Sequence, residues 1–581
     1  MIGRLHCLKV YSIKEEFEME TAEPFSSEFW VAMAPETVLI IGLIAVFVIP
    51  NLGSSKMRIP LTDIKIPWFL GGRRFRLTGA PHIPGLLGVG TIFSAFFLAA
   101  WSQFDSGFTE VAIVSGDVTL IKIDAFARMF EMIFFGAILL AALASLDRVP
   151  ATIYEETDEL EEMYNNRRQA DLYILMLTTA LGMSMVALAQ DLFVLFVGLE
   201  LASLATYVLV AFHKESKAGS EGGVKYFIVG SVASGIGLYG LSLLYLWAGS
   251  LQLDVLSELW ATNGNEALPI IALGLVLVGF GFKVSAAPFH FAAPDAYAGA
   301  NSPVAGILAT ASKGMGMIGL IRILVVVATP GDGDGSAIWL GALGVLSVVT
   351  MTWGNIAALG SKNPKRMLAY SSVAHAGYML AALTAVGAWR WGHIDAPSDF
   401  ATVIVGAVIF HLAVLVVFKL GAFLVLGMLE MEGGASRMSS LSGLARRDPL
   451  VATSMFIFML SLAGVPPLAG FLSKFLILAG IINASIGDLW ISGGAVSLGD
   501  LHWIWWLAFA MLINSAISIF YYLRVGVVMF LEVPEEGRRK PLPYGISIRM
   551  TIWICVVATI LLGLSGDFLI ELCYNAAEGL F

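Results

Sequence analysis

Residues 271–290 read IALGLVLVGFGFKVSAAPFH. An apolar run of this length spans the hydrocarbon core of a bilayer as one helix. Lys283 nevertheless sits deep inside it, with Gly279 and Gly281 before and Pro288 after. Proline removes a helical hydrogen bond, and a charge at the bilayer centre costs at least about 2.5–3.5 kcal/mol. Backbone freed at that depth must meet protein or water. The stretch therefore predicts a discontinuous transmembrane helix carrying a buried amine.

The rest of the 581-residue chain agrees: 58% of residues are hydrophobic, 13% are charged, and the mean hydropathy is +0.82. A soluble domain cannot cover that much apolar surface. Disorder, coiled coil and a disulfide scaffold are excluded by the same numbers. Fourteen apolar runs follow, near 29–51, 82–104, 125–146, 171–189, 191–212, 224–247, 267–289, 301–328, 337–359, 366–388, 400–429, 449–482, 503–531 and 548–574. The expected fold is an all-α polytopic membrane protein with about 14 spans. Residues 1–28 form a polar N-terminal extension, 29–124 peripheral spans, and 125–574 the main membrane domain.

Of 34 basic residues, 21 fall in connections after odd-numbered spans, against Lys122 and Arg390 in the others. The positive-inside rule then puts both termini on the outer side. The 53–80 connection, with Arg73, Arg74, Trp68 and Phe69, suits a membrane-surface segment or a plain basic loop. ETDELEE at 156–162 reads as a solvated face, and GDGDG at 331–335 as a turn-rich loop without phosphate-binding context. A net charge of −10 gives no footprint for nucleic acid. Cys7, Cys555 and Cys573 form no cluster-binding or zinc pattern, so no cofactor or metal is expected on this chain.

Eight cations lie at or near membrane depth: Arg128, Lys225, Lys283, Lys313, Arg322, Lys419, Lys474 and Arg524. Glu200 stands mid-span in DLFVLFVGLELASLATYVLVAF at 191–212. Lys313 stands mid-span in PVAGILATASKGMGMIGL at 303–320. Lys474 follows Gly464, Pro466, Pro467 and Gly470, a second helix break. Breaks in spans 7 and 12 suggest two inverted five-helix repeats, spans 4–8 and 9–13. A buried amine suits proton relay, because desolvation and a nearby carboxylate act oppositely on its charged form. Glu200 with Lys283 is the expected switch, and Lys313 and Lys474 join the relay. A purely structural ion pair is the plainer alternative, weakened by three mid-span lysines, two of them beside breaks.

Secondary relay candidates are Lys225, His290, His375 and Lys419. Each histidine fits a packed core role equally well, and His411 leans structural. Arg128 and Glu131, three apart, are expected to neutralise each other.

At these residues the chain resembles the antiporter-like membrane subunit N of complex I, the proton-pumping NADH:quinone oxidoreductase. The segments that carry the likeness are FVGLELASLATYVL at 196–209, GGVKYFIVGSVASGIGLYG at 222–240, GFGFKVSAAPFHFAAPDAYAGANSPVAGILATASKG at 279–314, NPKRMLAYSSVAHAGYML at 363–380, LSLAGVPPLAGFLSKF at 460–475 and FYYLRV at 520–525. The resemblance implies fourteen helices with two inverted repeats. It implies that Glu200, Lys283, Lys313 and Lys474 line a hydrated polar axis. It also implies that flavin, iron–sulfur clusters and quinone reside on partner subunits of the membrane and peripheral arms. The chain is then expected in an energy-transducing membrane, a bacterial cytoplasmic membrane first of all, with lipid, protons and other membrane-arm subunits as its partners. Lys419 in VVFKLGAFLVLG departs from the small polar residue common there; it is an extra relay group, or pairs with Glu430 or Glu432. Competing readings are a subunit of a multisubunit cation/proton antiporter, a membrane subunit of an energy-converting hydrogenase, and a structural spacer.

Overall fold

In the computed structural model the described residues are 20–48, 56–58, 65–67, 83–104, 110–115, 118–147, 159–213, 216–328, 338–390, 400–434, 437–486, 502–534, 540–542 and 545–580. The readings of residues 1–19, of most of the 53–80 connection including Trp68 and Phe69, and of GDGDG at 331–335 lie outside them.

The chain is a helical bundle. Its first part comprises α1 (Ser27–Ala32), α2 (Ala34–Val48), α3 (Ile83–Phe104) and α4 (Ala125–Ser145). Next come α5 (Glu159–Leu188), α6 (Leu192–Val210), α7 (Lys217–Ala248), α8 (Leu253–Asn263), α9 (Ala267–Val284) and α10 (Ala293–Gly299). Then follow α11 (Ser302–Ala309), α12 (Ala311–Leu320), a π-helical segment Ile321–Val327, α13 (Ile338–Gly360), α14 (Pro364–Arg390) and α15 (Phe400–Met431). The last part holds α16 (Leu444–Arg447), α17 (Pro449–Ala463), α18 (Ala469–Ile486), α19 (Trp505–Leu531), α20 (Ile546–Leu564) and α21 (Asp567–Glu578). Among the described residues five short strands lie in the connections: β1 (Glu20–Ala22), β2 (Lys56–Arg58), β3 (Lys65–Pro67), β4 (Val111–Ser115) and β5 (Val118–Ile123). β1 pairs parallel with β4 and β4 antiparallel with β5, Val111 opposite Ile123. β2 pairs antiparallel with β3.

Twelve helical runs among the described residues are long and apolar enough to cross a membrane. The difference from fourteen has local causes. α2 and α17 have 15 residues each, only ~22 Å of helix. α14 has the length, but Ser371, Ser372 and His375 lower its hydropathy. The run 449–482 is two helices, because Gly464 ends α17 and α18 starts at Ala469.

Acidic and amide side chains start several helices by accepting first-turn N–H groups. Asp124 accepts from Ala127 (2.8 Å), Asp191 from Phe193 (2.8 Å), Asn301 from Val304 (3.0 Å) and Asp448 from Val451 (3.2 Å). The two expected breaks are present. α9 ends on Ser285 in the left-handed region, φ 59°, and α17 ends on Gly464 at φ 85°. Both breaks contain a cis proline bond, Ala287–Pro288 and Pro466–Pro467. α11, α12 and the π segment together replace the single helix expected at 301–328, and nearly all of their residues are buried. α15 runs through the middle of the bundle, packed against α11, α14, α17, α18, α20, α21 and α4.

Candidate functional site

Glu200, Ser203 and Tyr207 occupy one face of α6, since positions three and seven apart align on a helix. Lys283 of α9 reaches this face. Its Nζ donates to Ser203 Oγ and, at 3.3 Å, to Tyr207 Oη, and it lies 5.0 Å from the Tyr207 ring centroid. Lys283 is only 3% exposed. Glu200 stands within electrostatic range of the amine without a direct ion pair, and its Oε1 is enclosed with no donor. The expected pair is therefore not in direct contact: Lys283 is held by hydroxyls one and two turns along α6 from Glu200, and Ser203 donates its own hydrogen to Leu199 O. Neither Ser203 nor Tyr207 was singled out in the sequence. Their spacing from Glu200 was the available signal.

Lys313 and Lys474 have a different kind of partner. A helix C-terminus carries orphan carbonyls and a partial negative charge. Lys313 Nζ donates to Val284 O at 2.7 Å, and Val284 is the last residue of α9. Lys474 Nζ donates to Leu462 O at 2.8 Å and Ala463 O at 3.4 Å, the last two residues of α17, and to Ser515 Oγ at 3.2 Å. Each interrupted helix thus presents its freed carbonyls to a buried ammonium.

Between these amines runs a line of polar side chains, all buried. Lys419 Nζ donates to Ser371 Oγ at 3.0 Å, and Ser371 Oγ lies 2.5 Å from Tyr522 Oη. Tyr522 Oη lies 3.4 Å from His375 Nε2, and His375 Nδ1 lies 3.0 Å from His411 Nε2. His411 Nδ1 lies 2.9 Å from Ser473 Oγ, which donates to Gly470 O at 3.1 Å. The two ends fix the direction. Ser473 spends its one hydrogen on a carbonyl, so it accepts from His411 Nδ1–H. A neutral His411 then accepts at Nε2 from His375 Nδ1–H, and His375 Nε2 accepts from Tyr522 O–H. Every donor points from Lys419 toward Ser473, the neighbour of Lys474.

The other residues sort clearly. Lys419 pairs with neither Glu430 nor Glu432. Glu430 accepts from Lys365 Nζ at 2.6 Å and from Ser302 N at 3.0 Å, and Glu432 accepts from Arg447. Glu430 is eleven residues along the same helix, ~16 Å away in rise, beyond the reach of a lysine. Lys225 lies in an exposed ion cluster with Glu221 (2.6 Å) and Asp295 (2.8 Å), away from the buried line. His290 is buried, with Nδ1 lacking a partner and its ring 5.9 Å from Trp353; it is within electrostatic range of Lys313 but outside the line. His411, which leaned structural in the sequence, is a central link. Among the described residues no three His, Cys, Asp or Glu side chains group to hold a metal.

The family model for the NADH:quinone oxidoreductase/Mrp antiporter transmembrane region matches residues 189–498. That range holds every member of the buried line except Tyr522. NADH-quinone oxidoreductase subunit N of Desulfitobacterium hafniense is 36% identical over 79% of this chain and 85% of its own length. The chain belongs to this family. F(420)H(2) dehydrogenase subunit N of Methanosarcina mazei is 33% identical over 79% of this chain and 84% of the relative. A chain of respiratory complex I from Thermus thermophilus superposes with a TM-score of 0.66 at 28% identity, covering 92% of this chain and 98% of that one.

Proposed function

We propose that this chain is a proton-translocating membrane-arm subunit of a complex I-type quinone oxidoreductase. Its conduction path is Lys283, Lys313, Lys419, the Ser371–Tyr522–His375–His411–Ser473 line and Lys474, with Glu200 as the modulating carboxylate. The observation that carries this reading is the unbroken, one-directional donor line that starts at one buried amine and ends beside another. A proton given up by Lys419 to Ser371 displaces a proton at each following link and comes to rest on His411, whose ring then carries a hydrogen on both nitrogens. Lys419 is left neutral, and the displaced charge has moved toward Lys474. Carrying one charge through 100 mV costs about 2.3 kcal/mol. Ammonium groups held by carbonyls and hydroxyls, without a full ion pair, can release a proton at a comparable cost.

In this reading residues 125–574 form the translocating domain, both termini face outward, and the membrane is a bacterial cytoplasmic one. Flavin, iron–sulfur clusters and quinone belong to partner subunits, and the electron donor is set by them. The test is purification of the intact complex with identification of every subunit, followed by reconstitution in sealed vesicles. Quinone reduction that drives proton movement supports the proposal. Sodium-dependent proton exchange without any electron donor would instead assign the chain to a cation/proton antiporter.

A further inference from the structure

The buried line leaves one group of ionisable residues unused. Where α2, α4 and α5 meet, Glu36, Arg128, Glu131 and Ser184 form a closed cluster. Glu36 is 2% exposed, Arg128 1%, and Glu131 and Ser184 are fully enclosed. Arg128 donates to Glu131 Oε2 and to Ala32 O, and its Nη1 is 3.5 Å from Glu36 Oε1. Ser184 Oγ lies 2.8 Å from Glu36 Oε1 and 2.6 Å from Glu131 Oε1. Glu36 Oε2 is buried and has no N–H or O–H donor. The two carboxyl groups themselves stand within hydrogen-bonding reach of each other.

Hydrogen counting decides the state of this cluster. A serine hydroxyl has one hydrogen, so it can donate to only one of the two carboxyl oxygens beside it. The second contact is a hydrogen bond only if a carboxyl O–H donates to the serine. Charge counting agrees. Two carboxylates and one guanidinium leave a net negative charge in a closed helical interface, which is far more costly than a neutral cluster. Carboxyl groups this close share one proton. The other charged groups nearby do not supply the missing positive charge. Asp124, at the head of α4, adds a further negative one, which the buried Arg322, donating to Ala187 O within range of Asp124, offsets. Lys122 is taken up by Glu110 at 3.0 Å and by Asp124 at 3.5 Å.

We infer that Glu36 and Glu131 form a proton-binding site lateral to the conduction path, holding one proton that bridges through Ser184. One of the two carboxyls carries the proton and donates to Ser184, which donates to the other, while Arg128 balances the remaining charge. The sequence reading of an Arg128–Glu131 pair that neutralises itself left out Glu36, which is distant in the chain and adds the second carboxyl.

The test uses the whole complex, with infrared difference spectra of wild type minus variant in H₂O and D₂O. Glu131→Gln and Glu36→Gln should each assemble, because each leaves one carboxylate opposite Arg128. Each should also remove one deuterium-sensitive carbonyl stretch of a protonated carboxyl. The Glu36→Gln/Glu131→Gln double variant should assemble poorly, because Arg128 is then buried without a counter-charge. Persistence of the carboxyl band in either single variant overturns the inference, as does failure of Glu131→Gln to assemble or normal assembly of the double variant.

Discussion

Tyr522 is the link at which the donor line is most easily cut. Its hydroxyl both accepts from Ser371 and donates to His375. Tyr522→Phe keeps the ring and removes that one atom. The rate of proton movement through this chain, measured in vesicles, should fall about 10²-fold or more, the range of a lost proton-transfer group, with the complex still assembled. Ser203→Ala removes the nearest hydroxyl to Lys283, a hydrogen bond to a charged group worth about 1.5–3 kcal/mol. Its pumping rate should drop with little change in assembly, as read by native gel and proton flux. The amines and Glu200 were legible in the sequence because a charge in an apolar run has no ordinary reason to be there. Their partners were not. Ser203, Ser371, Tyr522 and Ser473 are common membrane residues, and the carbonyls of Val284, Leu462 and Ala463 are backbone that no side-chain pattern reveals.

The helix breaks are the elements on which the amines depend. Proline and glycine around Lys283 and Lys474 announced both interruptions, and the structure places them at 285–292 and 464–468. What the periodicity could not give was the division of the 301–328 run into α11, α12 and a π segment, since the composition is apolar throughout. π segments inside α-helices often mark functional sites, and this one follows Lys313 by one helix length. Lys474→Met should leave the α17 carbonyls without a donor, at a cost of about 1–3 kcal/mol, seen as a lower melting temperature of the purified complex. Lys474→Arg should restore that stability without restoring pumping, because arginine keeps its proton. Gly464→Ala places a side chain at φ 85°, costing about 1–2 kcal/mol, and should lower the melting temperature in the same assay.

At the scale of the molecule, α15 and the segment from α11 to the π turn form a buried spine, and the relay groups hang on it and on α6, α9, α14, α18 and α19. Composition and the fourteen apolar runs were enough to predict a polytopic bundle. They could not show that the run at 29–51 holds a 15-residue helix or that the run at 449–482 divides into α17 and α18, and the β strands in the connections went unread because each has three to six residues. The central claim is that buried amines and their hydroxyl and imidazole partners move protons, rather than merely hold helices in register. It is tested most directly by coupled proton and electron flux of the reconstituted complex carrying Lys283→Met or Glu200→Gln. The account predicts assembled complexes with a sharply reduced proton-to-electron ratio in both variants. Wild-type pumping and electron transfer in both Lys283→Met and Glu200→Gln would contradict it.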